Sequence, residues 1–269
     1  MRTAIDYNRG LRRPVRALHV GAAVARDAMA PVTRPDRRGW LLPLLAGLLV
    51  TALVLPMDEA IWRWVRTLPL GGDVRRELEA WQQYGALGSL VFVTLVMWLL
   101  DAPRRRRLAD LWLAAGLVSL SCVTVKVLVG RPRPLLGDAW TFLGPAGVYP
   151  LADEAGAVTL RHAWEPGVKS ALWSFPSSHT AAAVVLSVFL ATMYPRLRWV
   201  AVGMAVLVGS ARVVLGDSGA HWPSDVVAGA TLGFVIARPV VARGLGARLA
   251  EAVMAARDRR AERRGGSRA

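Results

Sequence analysis

Six polar side chains lie at the ends of apolar runs of the sequence, where an ionisable group is costly unless it has a function. They comprise three cations, two histidines and one carboxylate: Lys126, Arg133, Arg212, His179, His221 and Asp225. Three cations can bind phosphate oxygens and stabilise the charge of a transition state. One histidine can attack phosphorus while the other protonates the leaving oxygen. Together, these residue types indicate phosphoryl transfer.

The neighbours of the two histidines support the same chemistry. His221 and Asp225 are four residues apart, so on a helix they would share one face. The carboxylate could then hold the tautomer of the ring and stabilise its charge. Ser177 and Ser178 follow a proline and precede His179, which is a strong signal for the start of a helix. Because helix N-termini bind anions, we expect both serines to contact the phosphate.

The apolar runs that must position these residues predict an all-α fold. Hydrophobic residues make up 54% of the 269 residues, more than a soluble protein of this length usually needs. With about 20 residues per span, the sequence predicts a polytopic membrane protein with about six transmembrane helices in a bundle. The predicted spans are 40–55, 86–100, 108–129, 178–194, 199–215 and 224–241. Small residues in the later spans would let these helices approach closely.

The distribution of positive charge predicts the orientation of the spans. The formal net charge is +15, and the arginines gather at both termini and in the gaps between spans two and three and between spans four and five. Positively charged connections stay in the cytoplasm, so all six candidate site residues fall on the outer side. We expect a basic cytoplasmic N-terminal segment (1–39), a six-span phosphatase domain (40–241) and a basic cytoplasmic tail (242–269). The arginines are not interleaved with aromatic residues, which argues against a nucleic-acid partner and favours the bilayer.

A long outer connection, residues 130–177, joins the third and fourth predicted spans. Loops of this length are uncommon unless they are functional or disordered. This one carries five aromatic residues: Trp140, Phe142, Tyr149, Trp164 and Trp173. Such residues suit the membrane interface or a lid over a lipid site.

Three motifs resemble the signature of the type 2 phosphatidic acid phosphatase (PAP2) family. The first, Lys, six residues, Arg-Pro, is matched by Lys126 and Arg133-Pro134; Arg131-Pro132 is a second Arg-Pro out of register. The second, Pro-Ser-Gly-His, reads Pro-Ser-Ser-His and ends at His179.

The third motif of the family is Ser-Arg, five residues, His, three residues, Asp. Here it reads Ala211-Arg212, eight residues, His221, three residues, Asp225. We interpret the three additional residues as a longer loop before His221. The resemblance covers about residues 86–240, with the three motifs in the family's order.

This resemblance implies a mechanism and a substrate class. His221 would form a phosphohistidine intermediate, oriented by Asp225, and His179 would be the general acid. The phosphate would be bound by the three cations, assisted by two hydroxyls: Lys126, Arg133, Arg212, Ser177 and Ser178. No metal and no cofactor would be required. The substrate would be a lipid phosphate monoester or a lipid pyrophosphate: phosphatidic acid, phosphatidylglycerol phosphate, undecaprenyl pyrophosphate and lipid A all stay open. The expected location is a bacterial cytoplasmic membrane.

Two other functions fit parts of the pattern. A phosphotransferase that moves phosphate from one lipid to another would use the same site. Gly216-Asp217-Ser218-Gly219 resembles the Gly-x-Ser-Gly motif of six-span rhomboid proteases, in which Ser218 would be the nucleophile. That mechanism needs a histidine on a later span, and none follows His221.

Overall fold

A computed structural model describes residues 38–153, 156–215 and 221–265. The helices before the long connection are α1 (Arg38–Val54), α2 (Asp58–Arg66), α3 (Gly72–Trp81), α4 (Leu87–Leu100) and α5 (Leu108–Val129). The connection contains the strands β1 (Val148–Ala152) and β2 (Val158–His162) and the short helix α6 (Lys169–Leu172). The helices after it are α7 (Ser178–Met193), α8 (Arg198–Val214), α9 (Pro223–Arg243) and α10 (Leu245–Gly265). Short 3-10 turns occupy Leu55–Met57, Gln82–Gly85, Ala102–Arg107, Pro134–Leu136 and Pro195–Leu197.

The structure confirms a helical membrane protein. All six predicted spans are helices (α1, α4, α5, α7, α8 and α9), and their ends lie within two residues of the predicted ranges. In the described part of the chain, four helical segments are long and apolar enough to cross a bilayer. A fifth crossing results if α3 and α4, which meet at a bend of 64°, form one broken span. The sixth helix, α7, is apolar but shorter, so the six crossings stay a prediction.

The helical path that begins with α1 continues further than the sequence predicts, although α1 itself ends at Val54. The pattern ends it before Pro56, yet the chain continues through the 3-10 turn Leu55–Met57 directly into α2. Pro56 is tolerated because it stands in the first positions of that turn, where a backbone N–H would have no helical partner. This continuation places Asp58, the first residue of α2, in the interior of the protein.

The short helix α7 is the centre of the bundle and packs against α5, α8 and α9. Its apolar side chains, such as Val185 and Phe189, join the core formed with α5 and α9. A Cβ at Gly229 or Gly233 of α9 would lie only 2.4 or 2.5 Å from a backbone oxygen of the Ser177–Ala181 region. The two helices therefore touch backbone to backbone, as the small residues predicted.

The long connection contains regular secondary structure instead of being a structureless loop. The strands β1 and β2 form an antiparallel hairpin in which Val148 is opposite His162. These two strands are the only β structure among the described residues. Val158, Leu160 and Trp164 expose more than half of their surface, so a role at the membrane interface or as a lid stays a prediction.

Candidate active site

His221 and Asp225 meet where α9 begins. The Nδ1 atom of His221 is 3.5 Å from Oδ2 of Asp225, and both side chains are buried. This distance exceeds a hydrogen bond, but catalytic contacts often tighten only when substrate binds. The pairing does not arise from a shared helix face, because α9 starts at Pro223. Asp225 instead reaches back over the helix start, where Oδ2 accepts the N–H of Trp222 at 3.0 Å.

The other contacts of Asp225 immobilise its carboxylate. Ser174 Oγ donates to Oδ2 at 2.5 Å, and Nη1 of Arg131 donates to Oδ1 at 2.6 Å. The backbone carbonyl of Asp225 accepts the N–H of Ser177 at 2.9 Å. Each of these bonds joins the start of α9 to the segment before α7 or to the segment after α5. One carboxylate therefore lies where three elements of the fold meet.

Burial sets the protonation state of His221, which lies between α8 and α9. The pKa of His221 is lowered to about 3, chiefly by burial; the charges of Lys126 and Arg133 contribute to this shift, while Asp225 opposes it. The imidazole is therefore neutral at pH 7, as a nucleophile must be. If Nδ1 carries the proton toward Asp225, the lone pair is on Nε2.

The two cations from the first motif flank the segment that leads into α7. Lys126 lies in the last turn of α5, is buried, and donates through Nζ to the carbonyls of Trp173 at 2.6 Å and Ser174 at 3.3 Å. The helix ends at Gly130, whose φ of 58° is a left-handed conformation that glycine adopts without strain. Arg133 follows in extended backbone and its N–H donates to the carbonyl of Ala171 at 2.8 Å.

Arg212 is buried in the last turn of α8, and the three-residue insertion does not remove it from the site. Its carbonyl accepts the N–H of His221 at 2.9 Å, and its Nη1 donates to Oε1 of Gln82 at 2.7 Å. The longer loop before His221 includes residues 216–220, which lie outside the described residues. Ser218, the alternative nucleophile, is among them.

His179 is the second residue of α7, and the positive charges of Arg212, Arg133 and Lys126 all act on it. The two serines before it differ in their contacts. Ser177 is fully buried, and its hydroxyl accepts a hydrogen bond from Thr180 Oγ1 at 3.0 Å. Its backbone N–H donates to the backbone carbonyl of Asp225. Its amide is therefore already bonded within the protein, so a contact of Ser177 with the phosphate would come from its hydroxyl and stays a prediction. The amides of Ser178 and His179 are in the first turn, where helix N–H groups have no helical partner.

The structure adds five residues that sequence reasoning missed. All are polar, buried and hydrogen-bonded to a member of the predicted set or to one another: Asp58, Gln82, Arg131, Ser174 and Ser224. Arg131 is the out-of-register arginine, and its side chain is wholly buried. A signal for Asp58 was available in the sequence, because it is the first of two carboxylates, Asp58 and Glu59, that directly follow an apolar run.

Comparison with known proteins now identifies the family. The family model of the PAP2 superfamily matches residues 107–245, which include all eight predicted site residues. The chain belongs to the PAP2 superfamily. Two of the buried polar residues found in the structure, Asp58 and Gln82, lie before the matched PAP2 region.

Lipid A 1-phosphatases of two rhizobia match a short part of this PAP2 protein. The one from Rhizobium johnstonii is 39% identical over 64 residues, covering 24% of this chain and 25% of that protein. The one from Rhizobium etli is 38% identical over 64 residues, covering 24% and 26%. The chain therefore matches about a quarter of the length of these curated relatives.

Two solved PAP2 structures share the fold. The PAP2-type phosphatidylglycerolphosphate phosphatase of Bacillus subtilis has a TM-score of 0.51 and 22% identity, and the alignment covers 76% of this chain and 94% of that one. Aquifex aeolicus LpxE has a TM-score of 0.51 and 18% identity, with 69% and 94% covered. At this identity, the likeness concerns the arrangement of the helices.

Proposed function

We propose that this PAP2 protein is a membrane lipid phosphatase that acts through a phosphohistidine intermediate at His221. The observation that carries the proposal is the buried His221–Asp225 pair, with the charges of Lys126 and Arg133 acting on the same imidazole. Membership of the PAP2 superfamily supports hydrolysis of a phosphoric ester. The names of the rhizobial relatives support a lipid as the carrier of the phosphate.

The proposed reaction has two displacements at phosphorus. In the first, the neutral Nε2 of His221 forms the N–P bond while the bond from phosphorus to the lipid oxygen breaks. His179 donates its proton to that oxygen, so the lipid leaves as an alcohol or, from a pyrophosphate, as a monophosphate. In the second, water attacks phosphorus, His179 accepts a proton from it, and the N–P bond breaks to release inorganic phosphate.

The remaining predicted residues stabilise charge in this scheme. Lys126, Arg133 and Arg212 bind the phosphoryl oxygens, where charge-assisted hydrogen bonds are strong because the site is buried. The hydroxyls of Ser177 and Ser178 and the first-turn amides of α7 supply neutral donors. Asp225 stabilises the imidazolium that forms when His221 carries the phosphoryl group. No step uses a metal ion or a cofactor.

The substrate class is a lipid phosphate monoester or a lipid pyrophosphate in a bacterial cytoplasmic membrane. Phosphatidic acid, phosphatidylglycerol phosphate, undecaprenyl pyrophosphate and lipid A are the candidates. Positive charge is concentrated at both ends of the chain and in the gaps between spans two and three and between spans four and five. This distribution supports cytoplasmic termini and an outward-facing site. The proposed division is unchanged: a basic segment 1–39, a six-span domain 40–241 and a basic tail 242–269.

The test is phosphate release by detergent-purified protein, with a chelator present, across a panel of these four lipids. We expect release from at least one lipid by the wild type and none by His221→Ala. His162→Ala is the matched control, because the ring of His162 lies in the hairpin and contacts the carbonyl of Gly147. Its activity should equal that of the wild type.

The intermediate can be trapped separately. A lipid with a labelled terminal phosphate should transfer label to the wild-type chain in an acid-labile, base-stable form, and not to His221→Ala. Release of phosphate by His221→Ala would contradict the proposed nucleophile. Labelling of the chain without release, followed by transfer of the label to a second lipid, would identify a phosphotransferase.

A further inference from the structure

Asp58 is a buried carboxylate outside the matched PAP2 region, yet it is bonded to the start of the helix that carries Asp225. Its Oδ1 accepts the N–H of Ser224 at 2.8 Å, and its Oδ2 accepts the hydroxyl of Ser224 at 2.5 Å. Oδ2 also accepts Nη2 of Arg131 at 2.7 Å. The side chain of Asp58 has no exposed surface. Every one of these contacts therefore reaches α9 or a residue that binds Asp225.

Arg131 joins the two carboxylates. Its Nη2 binds Asp58 and its Nη1 binds Asp225 at 2.6 Å, and all three side chains are fully buried. Nε and Nη2 also donate to the carbonyl of Ala139, and the ring centroids of Phe142 and Trp222 lie 4.9 and 5.6 Å from the guanidinium carbon. A planar guanidinium held on this many sides has one orientation, which a flexible ammonium would not reproduce.

We propose that Asp58 is a positioning residue for the phosphoryl-transfer site and acts on His221 through Arg131, Ser224 and Asp225. The inference rests on the proposed function, since it concerns the orientation of the proposed nucleophile. Asp58 holds the guanidinium of Arg131 from one end, and the guanidinium fixes Oδ1 of Asp225 from the other. The remaining oxygen of Asp225 is then directed at Nδ1 of His221.

Stability alone does not account for this cluster. Removing charges from water is costly, and apolar residues of similar volume often stabilise a fold as well or better. A fully buried Asp–Arg–Asp arrangement is therefore explained better by its contact with the site. The preceding helix α1 packs along α9, so Asp58 and α1 both contact the helix that carries Asp225.

The first experiment compares Asp58→Asn with the wild type in detergent, using the lipid that the wild type hydrolyses. The variant keeps the size of the side chain and removes its charge. We expect kcat to fall about 10- to 100-fold, the usual effect of removing a residue that orients a functional ligand. KM and the inhibition constant of inorganic phosphate should change less than about twofold, because the phosphate-binding cations are untouched.

Asp73→Asn is the matched control. It makes the same chemical change in the segment between α1 and α4, at a side chain that is 90% exposed and pairs with the exposed Arg76. Its kcat should equal that of the wild type. Ser224→Ala serves if Asp58→Asn fails to fold: it removes the hydroxyl that donates to Asp58 and accepts Nη1 of Arg131 at 2.8 Å, and it should lower kcat in the same direction by a smaller factor. An unchanged kcat in a folded Asp58→Asn or Ser224→Ala would overturn the proposal.

Orthovanadate binding separates this inference from the proposed function. Vanadate takes a fifth bond from a nucleophile, so its affinity should be lost in His221→Ala and reduced about 10-fold or more in Asp58→Asn. Phosphate affinity should stay constant in both variants. Wild-type turnover or vanadate binding that depends on His221 but not on Asp58 would overturn the positioning role alone. If neither depends on His221, the proposed function fails, and the positioning role fails with it.

Discussion

The two ends of the α5–α9 helix pair are each joined by an aspartate–arginine cluster, and the two clusters differ in what lies beside them. The site cluster consists of Asp58, Arg131, Ser174, Ser224 and Asp225. The tail cluster consists of Arg107 and Asp110: the carboxylate accepts Nε of Arg107 at 2.5 Å and the N–H of Ala247 at 3.0 Å. Arg107 also donates to the carbonyl of Val241 near the end of α9.

The tail cluster serves helix ends. It binds the carbonyl of Val241 in the last turn of α9, which also accepts the N–H of Gly244 at 3.2 Å, and an amide of the first turn of α10, where helix N–H groups have no helical partner. The site cluster also binds amides at the start of α9, those of Trp222 and Ser224, but its charges in addition contact each other and the carboxylate beside His221. The same residue types therefore stabilise structure at one end and, we propose, orient a nucleophile at the other. The neighbours of a charge pair determine its function.

The same substitution in both clusters should give the largest contrast. Asp225→Asn should lower kcat about 10⁴-fold, because an amide beside the histidine favours the wrong tautomer and cannot stabilise the charged ring. The measurement is steady-state phosphate release, with thermal unfolding in detergent to verify the fold. A loss of less than about tenfold would show that Asp225 is not the partner of the nucleophile.

The general acid can be tested through the leaving group. His179→Ala should reduce turnover of a lipid phosphate monoester about 10³-fold, since the leaving alkoxide then receives no proton. p-Nitrophenyl phosphate releases a stable phenolate that needs no proton. Its turnover should therefore fall less than about tenfold in the same variant. Equal losses for both substrates would assign His179 a role in binding instead.

Replacing Gln82 should have a smaller effect, and this effect should be on the binding of the substrate. It receives a hydrogen bond from Arg212, so Gln82→Ala releases one end of a phosphate-binding cation. We expect KM to rise about 5- to 10-fold, within the energy of one hydrogen bond to a charged group, and kcat to change little. Gln83→Ala, a change at the next residue in the chain, provides the comparison. A fall in kcat with constant KM would argue for a role in the transition state.

The protonation of His221 should appear as a pH dependence of stability. Burial lowers its pKa in the folded protein to about 3, below the value of about 6.5 in an unfolded chain. The unfolded state therefore binds an additional proton between these two values, and folding stability falls as the pH is lowered from about 6.5 towards 3. The melting temperature of the wild type should drop more across this range than that of His221→Gln. Parallel curves would contradict the lowered pKa.

Asp110→Asn in the tail cluster should have the smallest effect on turnover. It leaves Arg107 without its carboxylate and should cost about 1–3 kcal/mol of stability. Activity per folded molecule should stay within about twofold of the wild type, since each cluster affects its own neighbours. A large loss of kcat in fully folded Asp110→Asn would abolish the distinction between the clusters.

Local patterns in the sequence were sufficient to predict the helices and many of the candidate site residues of this molecule. Apolar runs about as long as a bilayer span predicted six helices to within two residues at each end, because a backbone in lipid must satisfy its hydrogen bonds within the helix. The spacing of His221 and Asp225 at the start of the last run predicted that these two side chains meet. Their roles follow from the motif resemblance and stay predictions.

Contacts over long sequence separations were decided only by the tertiary structure. No periodicity relates Asp58 to Ser224, which is 166 residues further along the chain, and the motif spacing selects Arg133 without indicating that Arg131 is buried between two carboxylates. The extension of the first helix past Pro56 brings Asp58 into this network. The sequence determined the helices and the types of side chain at their ends. The packing of one helix against another determined which charges became partners, because a buried charge is stabilised only by the groups that surround it in space.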